Sequence, residues 1–166
     1  MKAYIHQLNC SPGGVPKTPV ADAVLTPVGL VGDQQRDRRY HGGPERALCL
    51  FSLEVIAKLQ AEGHPIFPGS AGENVTVAGL EWPALAPGAR LALGDEAVIE
   101  ITSYTTPCRT ISDSFRDGQF KRISHKLHPG QSRLYARVIT PGRLASGQLV
   151  RLLNEAPDWP ARRGEL

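Results

Sequence analysis

The residue best suited to chemistry in this sequence is a single thiol. Cys108 follows Thr106-Pro107 and precedes Arg109. With Thr106 as a helix cap, Pro107 takes the first helical position, where proline is favoured, and Cys108 takes the second. Its sulfur then lies near free backbone N–H groups, and Arg109 adds a cation. Both effects favour thiolate over thiol, so Cys108 is a candidate nucleophile or metal ligand. The other cysteines suggest no chemistry. Cys49 sits in the apolar run Ala47-Leu48-Cys49-Leu50-Phe51 and reads as a small core residue. Cys10 precedes a turn and has no charged neighbour.

A second concentration of function-bearing types lies between Gly32 and Pro44. Arg36, Asp37, Arg38, Arg39 and His41 stand ahead of Gly42 and Gly43. Glycines let backbone approach a ligand closely, and arginine grips phosphate with two hydrogen bonds. Glu73 and Asn74 place polar groups at the entry of a strand. Tyr135 and Arg137 share one face of another strand, because side chains alternate there. An Arg137 pointing inward needs an acidic or anionic partner, whereas one pointing outward is a solvated side chain. His125-x-x-His128 is followed by Pro129 and has no third ligand nearby, which argues against a metal pair. Phosphate-loop, dinucleotide and Gly-x-Ser-x-Gly signatures are absent from the sequence.

Positioning such groups falls to a β-rich scaffold. The 17 glycines and 14 prolines break up long helices and favour short strands joined by tight turns. Strands are expected over Lys2–Leu8, over Ala23–Val31 with a break at Pro27, over Arg46–Phe51 and over Glu73–Val77. Gly94-Asp95 should join Arg90–Leu93 to Ala97–Thr102 as a hairpin. Tyr135–Thr140 and Gln148–Leu153 are expected as a last pair joined at Pro141-Gly142. Ser52 should cap a helix over Leu53–Glu62, with Gly63 beyond its end. A short helix should open at Thr106-Pro107-Cys108, with further polar helices up to His128. The expected fold class is mainly β, a closed or nearly closed barrel of short strands with a few peripheral helices. Residues 1–156 form one domain in this reading, and 157–166 a loose tail.

At 166 residues and 41% hydrophobic, the chain can build a core without disulfides or a structural metal. Its net charge of +3 is mild and forms no stripe of the nucleic-acid kind. Three widely spaced cysteines, with no Cys-x-x-Cys pair, suit a reducing compartment. The start has no signal-like pattern, and no apolar run is long enough to span a membrane. Cytoplasm is therefore the expected location.

Five motifs in order resemble those of a known family. These are Gly13-Gly14-Val15-Pro16-Lys17, then Gly32-Asp33 with Asp37, His41-Gly42-Gly43-Pro44 and Arg46-Ala47. Next come Gly72-Glu73-Asn74 with Gly79-Leu80, then Pro107-Cys108, then Tyr135-Ala136-Arg137-Val138. The pattern is similar to the MOSC domain of molybdenum-cofactor sulfurases, also found alone in small bacterial proteins. The resemblance implies a β-barrel binding the molybdenum cofactor, a pterin dithiolene bearing a phosphate, with Cys108 as the metal ligand. A soft thiolate suits a metal already held by sulfur. Lys17, Arg36 and Arg39 are then expected at the phosphate, and His41, Glu73 and Asn74 at the pterin edges. Gly42, Gly43, Thr106, Arg109, Tyr135 and Arg137 complete the expected cofactor-binding set. Relatives of this kind reduce N-hydroxylated compounds with electrons from a separate reductase. The chain has no flavin, haem or iron–sulfur motif, so a partner protein must supply electrons. Pyridoxal phosphate is not expected, and purification can strip the molybdenum cofactor. The competing readings are a sulfur carrier with a persulfide on Cys108 and a cofactor-binding module without turnover. Two departures from the pattern are Gly147-Gln148, where Gly-Asp is usual, and Arg133-Leu134, where an aromatic commonly precedes the tyrosine. The second bears on the pocket wall.

Overall fold

The computed structural model describes residues 2–34 and 43–153. Among them are eleven strands: β1 (Tyr4–Cys10), β2 (Thr18–Val20), β3 (Asp22–Thr26), β4 (Gly29–Leu30), β5 (Leu48–Ser52), β6 (Val75–Ala78), β7 (Arg90–Leu93), β8 (Ala97–Tyr104), β9 (Leu134–Thr140), β10 (Gly142–Ala145) and β11 (Val150–Leu153). One α-helix, α1 (Leu53–Ala61), and several 3-10 turns accompany them. The main sheet runs β11-β7-β8-β9-β5-β6-β1-β2, and β10-β3-β4 form a smaller one.

β5 is the centre of the main sheet. Its five residues are all buried, and it pairs antiparallel with β9 and parallel with β6. A strand covered on both faces reads as an unbroken apolar run, which Leu48-Cys49-Leu50-Phe51 does. The parallel step from β5 to β6 needs a crossover, and α1 supplies it. Ser52 ends β5 and caps α1, its Oγ accepting the Val55 N–H at 3.1 Å. Val55, Ile56 and Leu59 face inward, and Gly63, at φ +97°, turns the chain away after the helix. The core joins these residues to Ile5, Leu91 and Ile99 from the flanking strands.

No sheet closes into a barrel among the described residues, which corrects the closed form of the barrel expected from the sequence. The reason lies at β1, whose outer edge is divided. Its end, Leu8–Cys10, is taken by β2. Its start meets residues 147–150 through the Tyr4–Leu149 bridge and three backbone bonds: Ile5 N–H to the Gln148 carbonyl at 2.8 Å, Gly147 N–H to the Ile5 carbonyl at 2.7 Å and Val150 N–H to the Ala3 carbonyl at 3.0 Å. The chain then leaves to pair β11 with β7, so the two ends touch without forming a ladder.

Three further expectations change. β9 and β11 are not partners: β9 lies between β8 and β5, and Gly142 opens β10 against β3. Pro44–Arg46 forms a 3-10 turn, so the strand expected from Arg46 starts at Leu48. No helix opens at Thr106. Thr105 donates its N–H to the Arg133 carbonyl at 2.9 Å, which keeps the chain extended past β8. Cys108 is still extended at φ −138°, ψ 174°, and a 3-10 turn begins only at Arg109. The expected tail, 157–166, lies outside the described residues.

Loss of the Ser52 cap tests the local reading of α1. Ser52→Ala should lower stability by about 1 kcal/mol in urea unfolding. An unchanged midpoint would show that packing alone ends the strand and starts the helix.

Candidate functional site

The polar groups expected to meet a ligand fall into two sets in the structure. The first is turned inward. Asp33 is the hub: its carboxylate accepts from Lys17 Nζ at 2.6 and 2.8 Å, from Asn74 Nδ2 at 2.9 Å and from the Ser11 N–H at 3.0 Å. The Lys17 and Asp33 side chains are each only 5% exposed. Asn74 uses its other amide atom, Oδ1, to accept the Cys49 N–H at 3.0 Å. Lys17 and Asn74, expected at a phosphate and a pterin edge, are thus satisfied inside the protein.

Glu73 is also internal. Its Oε2 accepts from the Gly69 N–H at 3.1 Å and from the Thr76 hydroxyl at 3.0 Å, while Oε1 has no hydrogen-bond partner among the described residues. Burial is the main effect on this carboxyl and raises its pKa, against the pull of the Gly69 N–H, the Thr76 hydroxyl and Arg133. Gly69 is required at the turn below it. A Cβ there would come within 2.4 Å of the Lys17 carbonyl, at φ +91°.

The second set centres on Tyr135 and includes Cys108. The Cys108 thiol is half-buried and lies 2.8 Å from Thr110 Oγ1. Tyr135 on β9 is close enough to feel it. Burial pushes the Tyr135 phenol up to about 12, with Cys49 and Cys108 adding to the rise and Arg133 and Arg46 opposing it. Arg46 places its guanidinium carbon 5.3 Å from the centre of the Tyr135 ring, a cation–π distance. Arg133 is buried; its Nη1 donates to the Ala71 carbonyl at 2.7 Å, and its Nε has no partner among the described residues. Cys49 is the cross-strand neighbour of Tyr135, and burial raises its thiol pKa, as expected of a core cysteine. The site is therefore a thiol within electrostatic reach of a neutral phenol, with one exposed and one buried arginine.

The remaining expected residues are placed variously. Thr106 and Arg109 are exposed beside Cys108, and Thr106 caps no helix. Gly43 starts the 3-10 turn that carries Arg46, accepting its N–H at 3.1 Å. Arg137 points to Glu100, with contacts at 2.6 and 2.7 Å, and that carboxylate also takes Arg90 Nε. Its partner is thus protein rather than ligand. His125 stacks on Tyr104 at 3.5 Å between ring centres and accepts the Gly130 N–H. No group of three possible metal ligands from His, Cys, Asp and Glu occurs among the described residues. Arg36, Arg39, His41 and Gly42 lie outside them.

Sequence reasoning did not assign three roles: Asp33 as hub, Arg46 over the Tyr135 ring and Arg133 as a buried cation. Strand parity was the available signal for Arg133, since it shares its alternation with Tyr135 and Arg137.

Comparison with known proteins bears on the family and the fold. The family model of the MOSC domain matches residues 37–151. An uncharacterized Bacillus subtilis protein, YflK, is 32% identical over 85% of this chain, and Escherichia coli YiiM is 28% identical over 89%. The chain spans 63% and 66% of those two relatives. Among solved structures, a hypothetical protein superposes with TM-score 0.74 at 25% identity, covering 93% of this chain and 70% of that one. YuaD from Bacillus subtilis gives 0.72 at 18% identity, covering 90% and 94%, and so shares the fold. No helix among the described residues is long and apolar enough to cross a membrane.

Two stability measurements follow. Lys17→Met leaves Asp33 buried without its cation and should cost about 3–5 kcal/mol in urea unfolding. A loss below about 1 kcal/mol would mean the pair is not needed. For Glu73, the folded pKa lies above the usual 4.5, so its stabilising contribution is full below that value and is lost as pH rises through the raised one. The stability of the parent relative to Glu73→Gln should therefore fall as pH rises above 4.5. A difference independent of pH would contradict the buried, hard-to-ionise carboxyl.

Proposed function

Because the chain belongs to the MOSC domain family, which is associated with the molybdenum cofactor, we propose that it holds that cofactor through Cys108 and reduces N-hydroxylated compounds. The observation that carries this reading is the half-buried Cys108 thiol within electrostatic reach of the Tyr135 phenol, which Arg46 and Arg133 also influence. The residues fit the group. A thiolate is a soft donor suited to a metal already bound by sulfur, and two arginines balance an anionic dithiolene. Arg133 also brings a buried Nε–H that has no acceptor among the described residues. When bound, the cofactor supplies two-electron oxygen-atom chemistry, in which an N-hydroxyl oxygen leaves as water.

The chain's own side chains have separable tasks. Cys108 holds the metal and does not attack the substrate. Arg46 lies on the exposed side of the Tyr135 ring and suits an anionic ligand edge entering from solvent. Arg133 keeps a buried positive charge that Tyr135 feels, in surroundings where charge acts more strongly than in water. Tyr135, with its pKa near 12, remains protonated at neutral pH and so offers a hydrogen bond rather than a proton. Lys17, Asp33 and Asn74 act behind the site and hold the backbone at Cys49. A separate reductase supplies the electrons.

The test is molybdenum content and reduction of an N-hydroxylated base by reduced viologen, after expression in a host that makes the cofactor. The parent should hold near-stoichiometric metal and turn over. Losing an outer-shell partner already costs metal affinity roughly 10–100-fold, and Cys108→Ser should lose at least that, with the fold intact. Full activity in Cys108→Ser would sink the reading. No metal in either protein, with one sulfur atom gained on Cys108 by mass spectrometry, would favour a sulfur carrier instead.

A further inference from the structure

The charge of this chain is unevenly placed. Residues 106–131 carry five basic side chains, Arg109, Arg116, Lys121, Arg122 and Lys126, against two acidic ones, Asp113 and Asp117. That surplus equals the formal +3 of the whole chain, so the rest of the sequence is balanced. The segment follows the thiol directly in the chain and packs on itself. The 3-10 turns Arg109–Ser114, Arg116–Gly118 and Phe120–Ile123 are packed together, and the first begins at the residue after Cys108. Arg109, Arg116, Lys121 and Lys126 are exposed. Arg122 is held by Glu62 at 2.8 and 2.9 Å and by Gln131 at 2.6 Å.

A groove of about 510 Å³ opens beside these turns, with Asp117, Phe120, Lys121, Arg122, Leu127 and His128 in its walls. Leu127 is 58% exposed, an unusual place for leucine unless something covers it. An apolar centre with separated cations around it is the anatomy of a protein interface. A nucleic-acid face would instead present a continuous run of phosphate contacts.

We propose that this groove and its basic rim dock an acidic electron-carrier protein. The inference rests on the reductase reading above, in which R–NHOH takes two electrons and two protons to give R–NH2 and water. The carrier is oxidised as it supplies the electrons, and solvent supplies the protons. Opposite charge steers such a carrier to the side of the molecule that holds Cys108.

The test uses the cofactor-loaded full chain and a reduced acidic flavodoxin as probe. Binding is titrated at low and high ionic strength for the parent and for Lys121→Glu/Lys126→Glu. Both lysines are exposed and outside the site, so the fold should survive. The parent should bind with an affinity that falls with salt, and the double variant should bind roughly tenfold or more weakly. Viologen-driven reduction should be equal in the two proteins. Absent or salt-insensitive binding by the parent, or equal binding by the variant, would overturn the proposal. Duplex RNA that binds the parent more tightly than flavodoxin and is lost in the variant would overturn it too. Failure of viologen-driven reduction in the parent would count against the reductase reading alone, and the binding comparison would still decide the docking face.

Discussion

The Asp33 carboxylate is the constraint on which the rest of the site depends. It gathers an ammonium and a backbone N–H from the β1–β2 loop, at Lys17 and Ser11, and an amide from Asn74 ahead of β6. A buried charge pair costs desolvation and gains little net stability over an apolar replacement, but losing one member is severe. What the pair contributes here is position. Through Asn74 it fixes the Cys49 backbone, and Cys49 is the cross-strand neighbour of Tyr135. The thiol site is thus built on a wall set by an interaction that no ligand touches.

The opposite wall comes from β8 and β9. Their register slips between Ile101 and Ser103, a bulge of the kind that re-aims strands beside functional sites. Beyond it, the bond from Thr105 to Arg133 carries the extended chain to Cys108 before the 3-10 turns begin. Arg133 therefore serves twice: its carbonyl guides the thiol-bearing segment, and its side chain clamps the turn at Ala71 with a buried cation that Tyr135 feels. Arg46 approaches the same ring from the solvent side. The Cys108 thiol lies within electrostatic reach of a phenol that carries Arg46 over its ring and feels the buried Arg133.

Local signals in the sequence were readable. Ser52 marked the start of α1, Gly94-Asp95 marked the hairpin, and the apolar run around Cys49 marked a buried strand. Non-local choices were not. Whether β1 closes a barrel depends on how it divides its edge between β2 and residues 147–150, which no short pattern encodes. The helix expected at Thr106 failed because a bond from a strand 28 residues away keeps the chain extended. The site divides in the same way. Lys17 and Asn74 were recognisable as polar groups with a purpose. Their partner Asp33 stands 16 and 41 residues away, so an internal role looked the same as a ligand-binding one. For Glu73 the sequence showed a carboxylate at a strand entry, but not its complete burial.

The central claim is that Cys108 is bonded to the metal rather than lying near it. X-ray absorption at the molybdenum edge of the loaded protein tests this most directly, by counting sulfur neighbours. The parent should show one sulfur more than the dithiolene supplies, and Cys108→Ser should lose that one scatterer. The same sulfur count in both proteins would contradict the account.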